Sequence, residues 1–167
     1  MDQLNFMYLF LTALIPLITG FIWYSKPLFA KSWMRSAGLT EENLKQGKMA
    51  LIFLLTYVLG LFISFGLMPI VIHQAGIYGV LANEPGLNDP NSEISKYVAD
   101  FMSKHGRNFR TFRHGALHGT MTGLFLALPI TGIVAMFERR SFKYVAIHTG
   151  YWILTLALMG GVICAFL

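Results

Sequence analysis

The chain has 167 residues, of which 55% are hydrophobic and only 13% are charged, about half the charged share of an ordinary soluble domain. Its net charge of +5 would suit nucleic acid in a soluble protein, but here the Lys and Arg residues flank apolar runs, where they set membrane topology and meet anionic headgroups. We therefore expect a membrane protein that contacts lipids and no nucleic acid, and the single cysteine, Cys164, excludes an internal disulfide.

Four apolar runs divide the chain, and none of them contains Asp, Glu, Lys or Arg. They cover about residues 4–24, 49–72, 114–137 and 144–167, and each supplies the roughly 20 residues that a spanning helix needs. Barrel strands alternate apolar and polar residues, whereas these runs are apolar all round. The sequence predicts an all-α, four-helix transmembrane bundle that forms a single integral membrane domain over residues 1–167.

The first connection, residues 25–48, is predicted to hold a short amphipathic helix in the headgroup layer. Pro27 stands where a helix can begin and Gly38 where it can end. Apolar residues recur between them near helical spacing: Leu28, Phe29, Trp33 and Met34. Thr40 is predicted to cap a further helix that continues into the second run.

The second connection, residues 73–113, is also predicted to contain an amphipathic interfacial helix. Asp89-Pro90 would begin this helix and Gly106 would end it. Its apolar residues follow a helical period: Ile94, Tyr97, Val98, Phe101 and Met102. The apolar face needs a partner, either the outer leaflet or the mouth of the bundle, where the helix would act as a lid.

Positive charge predicts the orientation, because Lys and Arg accumulate in cytoplasmic connections. The first connection carries five such residues and the third, 138–143, carries three, against five in the long 73–113 connection. The first and third connections are therefore predicted to be cytoplasmic, with both termini facing outward. The third connection forms a cytoplasmic turn, in which Glu138, Arg139 and Arg140 pair internally, contact the first connection or are simply solvated.

Three glycines at intervals of four residues mark the third run. Gly115, Gly119 and Gly123 would form a groove that lets another helix pack closely. The partner helix lies in this chain or in another copy, as in a homo-oligomer or a larger membrane complex. Gly160-Gly161 is the candidate within the chain, because a hairpin turning near Arg139 places position 118 opposite about position 161.

Histidines beside these glycines are the candidate polar site. His114 and His118 lie one helical turn apart and can share a metal ion. His73, at the end of the second run, lies at a similar depth and would be a third ligand, while His105 could reach the site from the 73–113 connection. The other interpretations are interhelical hydrogen bonds, a wet crevice, or proton and ion handling. For His148, in the fourth run, a hydrogen bond to Thr131 is expected.

No pattern typical of an enzyme accompanies these histidines. The sequence has no nucleophile elbow, no phosphate-binding glycine loop, no paired carboxylates within the runs and no zinc-protease motif. We therefore expect no catalytic residue and no cofactor, in a non-enzymatic accessory subunit or homo-oligomeric scaffold. The alternative is a small transporter or a metal- or haem-handling protein that uses the histidines near the outer face. An intramembrane enzyme with a histidine as acid–base group is the third hypothesis.

Two stretches of the chain resemble a known family. They are Gly20-x-x-Trp23-Tyr24-Ser25 with Phe29-x-x-x-Trp33-Met34 and Gly38-Leu39-Thr40, and later His114-Gly115, His118-Gly119, Phe137-Glu138-Arg139-Arg140 and Gly150-Tyr151-Trp152. The first resembles the start, and the second the distal half, of the bacterial membrane family catalogued as domain of unknown function 1761. The resemblance covers most of the chain apart from the 73–113 connection. It implies a small four-helix integral membrane protein, in the inner membrane of a bacterium, and assigns no activity.

Overall fold

A computed structural model describes residues 5–167, which form helices and turns without a β-strand. The all-helical prediction is confirmed; Leu4, the predicted first residue of the first run, lies outside the described residues. In chain order the helices are α1 (Met7–Thr12), α2 (Ile15–Trp23), α3 (Ala30–Ala37), α4 (Glu41–Lys45), α5 (Met49–Val71), α6 (Ala75–Val80), α7 (Glu93–His105), α8 (Phe112–Thr122), a π-helical turn (Gly123–Ala127), α9 (Leu128–Phe137) and α10 (Phe142–Phe166).

Three helices in the described chain are long and apolar enough to cross a membrane: Met49–Val71, the continuous stretch Phe112–Phe137, and Phe142–Phe166. The first predicted run forms a shorter apolar segment, Met7–Trp23, which is divided between α1 and α2. The division has a local cause. Pro16 has no backbone N–H to donate to the carbonyl of Thr12 and its ring crowds that carbonyl, so α1 ends at Thr12.

The third predicted run also contains a proline, yet its helix continues. Pro129 would leave the carbonyl four residues earlier without its donor. Just before it the backbone widens into the π-helical turn, and the N–H of Leu128 bonds to the carbonyl of Gly123, five residues back. The wide turn lets the helix continue past Pro129, so that Phe112–Phe137 forms one unbroken helical stretch.

α10 is the central helix of the bundle. In the most apolar 18-residue stretch of α10, 50% is buried inside the protein, whereas the buried share of the corresponding stretch is 17% in α5 and 11% in Phe112–Phe137. It contacts α1, α2, α5, α8 and α9, and its residues Met159 and Ile163 are fully buried. These helices pack around α10, and their remaining apolar surface faces outward.

The connecting helices begin and end at local signals. α3 ends at Gly38, whose φ of 70° is left-handed and favours glycine. Thr40 caps α4 through a capping box with Asn43, as expected. The predicted continuation of that helix into the second run is wrong, because α4 ends at Lys45 and a turn at Gln46 and Gly47 precedes α5.

α7 starts later than the sequence indicated. Its cap is Ser92, whose hydroxyl accepts the N–H of Ser95 at 3.1 Å. Asp89 instead closes the preceding turn, where its carboxylate accepts the N–H of Asn91 at 2.9 Å. Asp and Ser side chains both accept hydrogen bonds from free N–H groups. Ser92 is the helix cap because helical backbone begins directly after it, at Glu93. The predicted end at Gly106 is confirmed.

Candidate functional site

Three histidine rings meet where α5 ends and α8 begins. The Nε2 atom of His73 lies 3.0 Å from Nε2 of His114 and 3.1 Å from Nε2 of His118. The three rings offer ligand atoms that all lie within 4.8 Å of one another. We call these residues the histidine cluster. The structure thus brings together the three histidines that the sequence proposed as a site.

The helices explain this convergence. His114 and His118 project from adjacent turns of α8, whose first residue follows the cap Thr111; the Thr111 hydroxyl accepts the N–H of His114 at 3.2 Å. His73 follows the last turn of α5, where Ile72 leaves the helical conformation. The chain reverses there and turns the His73 ring toward α8.

Phe109 supports the cluster and was not indicated by the sequence. Its ring stacks on His114 with centroids 5.2 Å apart. Its φ of 60° is left-handed, which is uncommon for a bulky residue and costs conformational energy. Aromatic side chains are frequent throughout the chain, so only the strained backbone distinguishes Phe109, and backbone strain has no sequence signal.

The cluster has the dimensions of a metal site. Two imidazole nitrogens bound to one tetrahedral zinc ion, each at 2.0–2.1 Å, lie about 3.3 Å apart, close to the observed 3.0 and 3.1 Å. A second arrangement has similar distances. If Nε2 of His73 carries the proton, its N–H can be shared between the other two Nε2 atoms. One group of atoms therefore supports either an ion or a hydrogen-bonded triad.

A cleft of about 370 Å³ adjoins the cluster at His73. It is lined by His73, Gln74, Ile77, Phe101, His105 and Asn108. Gln74 fastens the far end of α7 to this region, because its amide donates to the carbonyl of Asn108 at 2.7 Å and to that of His105 at 3.3 Å. His105 lies in the cleft with Nδ1 at 3.2 Å from the Asn108 amide nitrogen, and it does not join the cluster.

The three glycines of α8 and the π-helical turn face α10 of the same chain. A Cβ on Gly115 would overlap the carbonyl of Gly160, and one on Gly119 would overlap the carbonyl of Leu156. A Cβ on Gly123 would lie 2.8 Å from Cα of Ile153. The groove is therefore filled by α10, so a second copy of the chain would have to associate through another surface.

Arg110, four residues before His114, lies before α8 begins and turns toward α10. Its Nε donates to the carbonyl of Cys164 at 2.8 Å, one of the carbonyls that a helix end leaves without a partner. Burial lowers the pKa of Arg110 from its ordinary value. The thiol of Cys164 is buried and donates to the carbonyl of Val71 at 3.3 Å. These bonds join the ends of α5 and α10 to the segment just before α8.

At the opposite end of α10, His148 bonds to a residue that the sequence did not indicate. Its Nδ1 lies 3.1 Å from the hydroxyl of Tyr24, and its ring lies 4.3 Å from that of Tyr144. Its Nε2 is buried and has no hydrogen-bond partner within residues 5–167. The predicted bond to Thr131 is therefore wrong, because His148 faces α2 and the start of its own helix.

The Glu138–Arg140 turn contacts the first connection. The guanidinium of Arg140 lies 3.3 Å from the Glu138 carboxylate and donates to the carbonyl of Ala37, at the end of α3, at 3.1 Å. Arg139 adopts a left-handed φ of 57°, which allows the tight reversal between α9 and α10. Two of the outcomes that the sequence left open, internal pairing and contact with the first connection, occur together.

The comparisons with known proteins identify one match. A family model described as "Protein of unknown function (DUF1761)" matches residues 7–164, a stretch that contains the whole histidine cluster and the long helices apart from the last two residues of α10. No curated protein and no solved structure matches the chain.

Proposed function

The chain belongs to the DUF1761 family of unknown function, and from that premise we propose that it is a membrane protein that binds a transition-metal ion through His73, His114 and His118. The convergence of three Nε2 atoms is the observation that carries this proposal. Neutral imidazole suits zinc, copper, iron and nickel. Haem fits less well, because axial ligands lie on opposite faces of the porphyrin, whereas these nitrogens are neighbours.

We further propose that Met7–Trp23 crosses the membrane as a fourth, broken span within a single domain. Two hydrogen bonds support this. The N–H of Asn5 bonds to the carbonyl of Leu167 at 3.2 Å, and the indole of Trp23 bonds to the carbonyl of Ile147 at 3.1 Å. The N-terminal segment therefore runs alongside 20 residues of α10, or about 30 Å at the helical rise, the thickness of the hydrocarbon core.

The proposed orientation places the cluster outside the cytoplasm. The Lys and Arg residues of the first and third connections favour the cytoplasmic side for both. Both termini and the 73–113 connection would then face outward, in the inner membrane of a bacterium. α3 and α7 would lie at the two interfaces, since each combines apolar and charged faces. A metal ion would reach the cluster from the outer solution.

Elemental analysis tests metal binding. We expect the protein purified without chelator, or reloaded with zinc, to hold about one ion per chain, and the His118→Ala variant to lose it, because removal of a ligand weakens binding by more than about 100-fold. The matched control is His105→Ala, a histidine of the same region outside the cluster, which should keep the ion.

A metal-free wild-type protein that also fails to take up zinc, copper, nickel or cobalt would contradict the proposal. So would equal metal content in the wild type and the His118→Ala variant. Either result would leave the shared hydrogen bond as the function of the triad, a structural one.

The second candidate function is that of an accessory subunit or homo-oligomeric scaffold. Its support is the outward apolar surface at the end of α9 and the start of α10, where Phe137 and Phe142 are 85% and 84% exposed. Lipid would cover this surface, and so would another subunit. The oligomeric state in mild detergent tests the scaffold, and a monomer at all protein concentrations would contradict it.

A further inference from the structure

We propose that the metal in the histidine cluster keeps one coordination position for an exchangeable water or small anion, on the side of the cleft that adjoins His73. This inference rests on the metal-binding function proposed above. With an open position, the metal would not only be bound by the protein but could also bind and activate a small ligand.

The number of protein ligands is the first argument. The ligand atoms of the three histidines lie within 4.8 Å of one another, and no fourth His, Cys, Asp or Glu among residues 5–167 belongs to this group. Structural zinc sites are closed by four protein ligands, whereas sites that bind substrate have three and leave the fourth position to water or another ligand. The cluster has the second composition.

Charge is the second argument, and it favours an anion. Three neutral imidazoles leave both positive charges of a divalent ion uncompensated. Arg113, next to His114 in the chain, adds a further positive charge at the start of α8. An anion in the open position would offset this charge. A hydroxide would do the same, and it forms when a metal ion acidifies its bound water.

Access is the third argument. His73 is exposed and lies at the border between the cluster and the cleft. The cleft volume of about 370 Å³ is far larger than one water molecule, whose share of the liquid is about 30 Å³. Gln74 holds the far wall in place through its bonds to the carbonyls of His105 and Asn108. A small anion can therefore enter without displacing a helix.

Cobalt substitution with added azide tests this inference. The full-length protein, purified in mild detergent, is loaded with Co²⁺, whose visible absorption reports the number and kind of ligands. We expect a four-coordinate spectrum that azide changes in a saturable way. The Phe101→Trp variant narrows the cleft. It should keep the spectrum seen without azide and bind azide about fivefold more weakly, a difference of about 1 kcal/mol.

The outcomes separate the two proposals. If the wild type takes up neither Co²⁺ nor zinc, copper or nickel, the metal-binding function itself is contradicted. If the wild type binds Co²⁺ but azide leaves its spectrum unchanged, the site is closed and only the open position is overturned. If azide binds equally well to Phe101→Trp and the wild type, the ligand does not occupy the cleft and its assignment there is overturned.

Discussion

Glycines determine how closely α8 can approach α10. Gly115 and Gly119 lie against the carbonyls of Gly160 and Leu156, with no room for a Cβ. Gly132, on α9, has nothing within 4 Å of the place where a Cβ would stand. Residues of one type, 13 positions apart on one continuous stretch, therefore have different roles, and their neighbours decide which.

Alanine substitutions at these two positions should have opposite effects. Gly119→Ala should lower the free energy of unfolding by about 1–3 kcal/mol or more, because the added methyl group overlaps backbone atoms that cannot move aside cheaply. Gly132→Ala, the matched control, should be neutral or stabilising by up to about 1 kcal/mol, as is usual in an open helix position. Thermal unfolding in mild detergent measures both, and equal midpoints would contradict the packing role.

The histidines divide in a similar way. His73, His114 and His118 meet at one end of the bundle, while His148 bonds to Tyr24 near the other. His105 lies close to the first group but bonds to Asn108. The i, i+4 spacing of His114 and His118 predicted that both side chains lie on one face of a helix, and in the structure both lie beside His73. The partner of His148 could not be predicted, because it depends on how α2 lies against α10.

At the scale of helices, the contact between the Glu138–Arg140 turn and α3 fixes the first connection. Arg140 donates to the carbonyl of Ala37, where an ending helix leaves carbonyls without partners. Its guanidinium also lies 5.6 Å from the centroid of the Tyr144 ring. One side chain thus links α3 with the turn between α9 and α10.

The Arg140→Gln variant should loosen α3 without unfolding the protein. An exposed contact of this kind contributes at most about 1 kcal/mol, so we expect amide hydrogen exchange within Ala30–Ala37 to rise about twofold to fivefold. Arg139→Gln removes the neighbouring charge and keeps the Arg140 contacts, so it serves as the control. If both variants exchange at the wild-type rate, Arg140 does not hold α3.

Two prolines in apolar runs have different effects on their helices. Pro16 separates α1 from α2, while Pro129 follows a π-helical turn inside a helix that continues to Phe137. In the second case the helix is held against α10 over its preceding turns by the glycine contacts. The helix is therefore continued through a wide turn before Pro129, whereas the segment around Pro16 is divided into two helices.

At the scale of the whole molecule, the arrangement predicts which positions share a side of the membrane. In a Cys164→Ala background, Asn5→Cys and Asn91→Cys should react with a membrane-impermeant maleimide on intact spheroplasts. Gln46→Cys should react only after permeabilisation, because α5 separates the first connection from the second and the first connection is predicted to be cytoplasmic.

Two other labelling patterns would contradict this topology. If position 5 reacts together with position 46, Met7–Trp23 does not cross the membrane. If only position 46 reacts on intact spheroplasts, the orientation is reversed, and the histidine cluster faces the cytoplasm. The variants carry their cysteines in exposed positions, so labelling reports the side of the membrane.

Local interactions explain what the sequence alone determined: the apolar runs, the caps at Thr40 and Gly38, and a helix in each of the first two connections. Helix ends depend on hydrogen bonds within a few residues, and membrane insertion depends on the composition of about 20 consecutive residues. Both are therefore readable along the chain. The number of long helices was not readable in the same way: four runs predicted four long helices, and the structure has three together with the shorter segment Met7–Trp23, because a proline can end a helix or be accommodated in it.

Only the tertiary structure decided which side chains meet across the bundle. The glycine groove is occupied by α10, His73 reaches the two histidines of α8, and Arg140 reaches the end of α3. Each of these contacts joins residues at least 30 positions apart in the chain, and each depends on the distance and rotation of packed helices. A pattern along one helix gives the face on which a residue lies, whereas its neighbour across the interface is set by the packing of both helices.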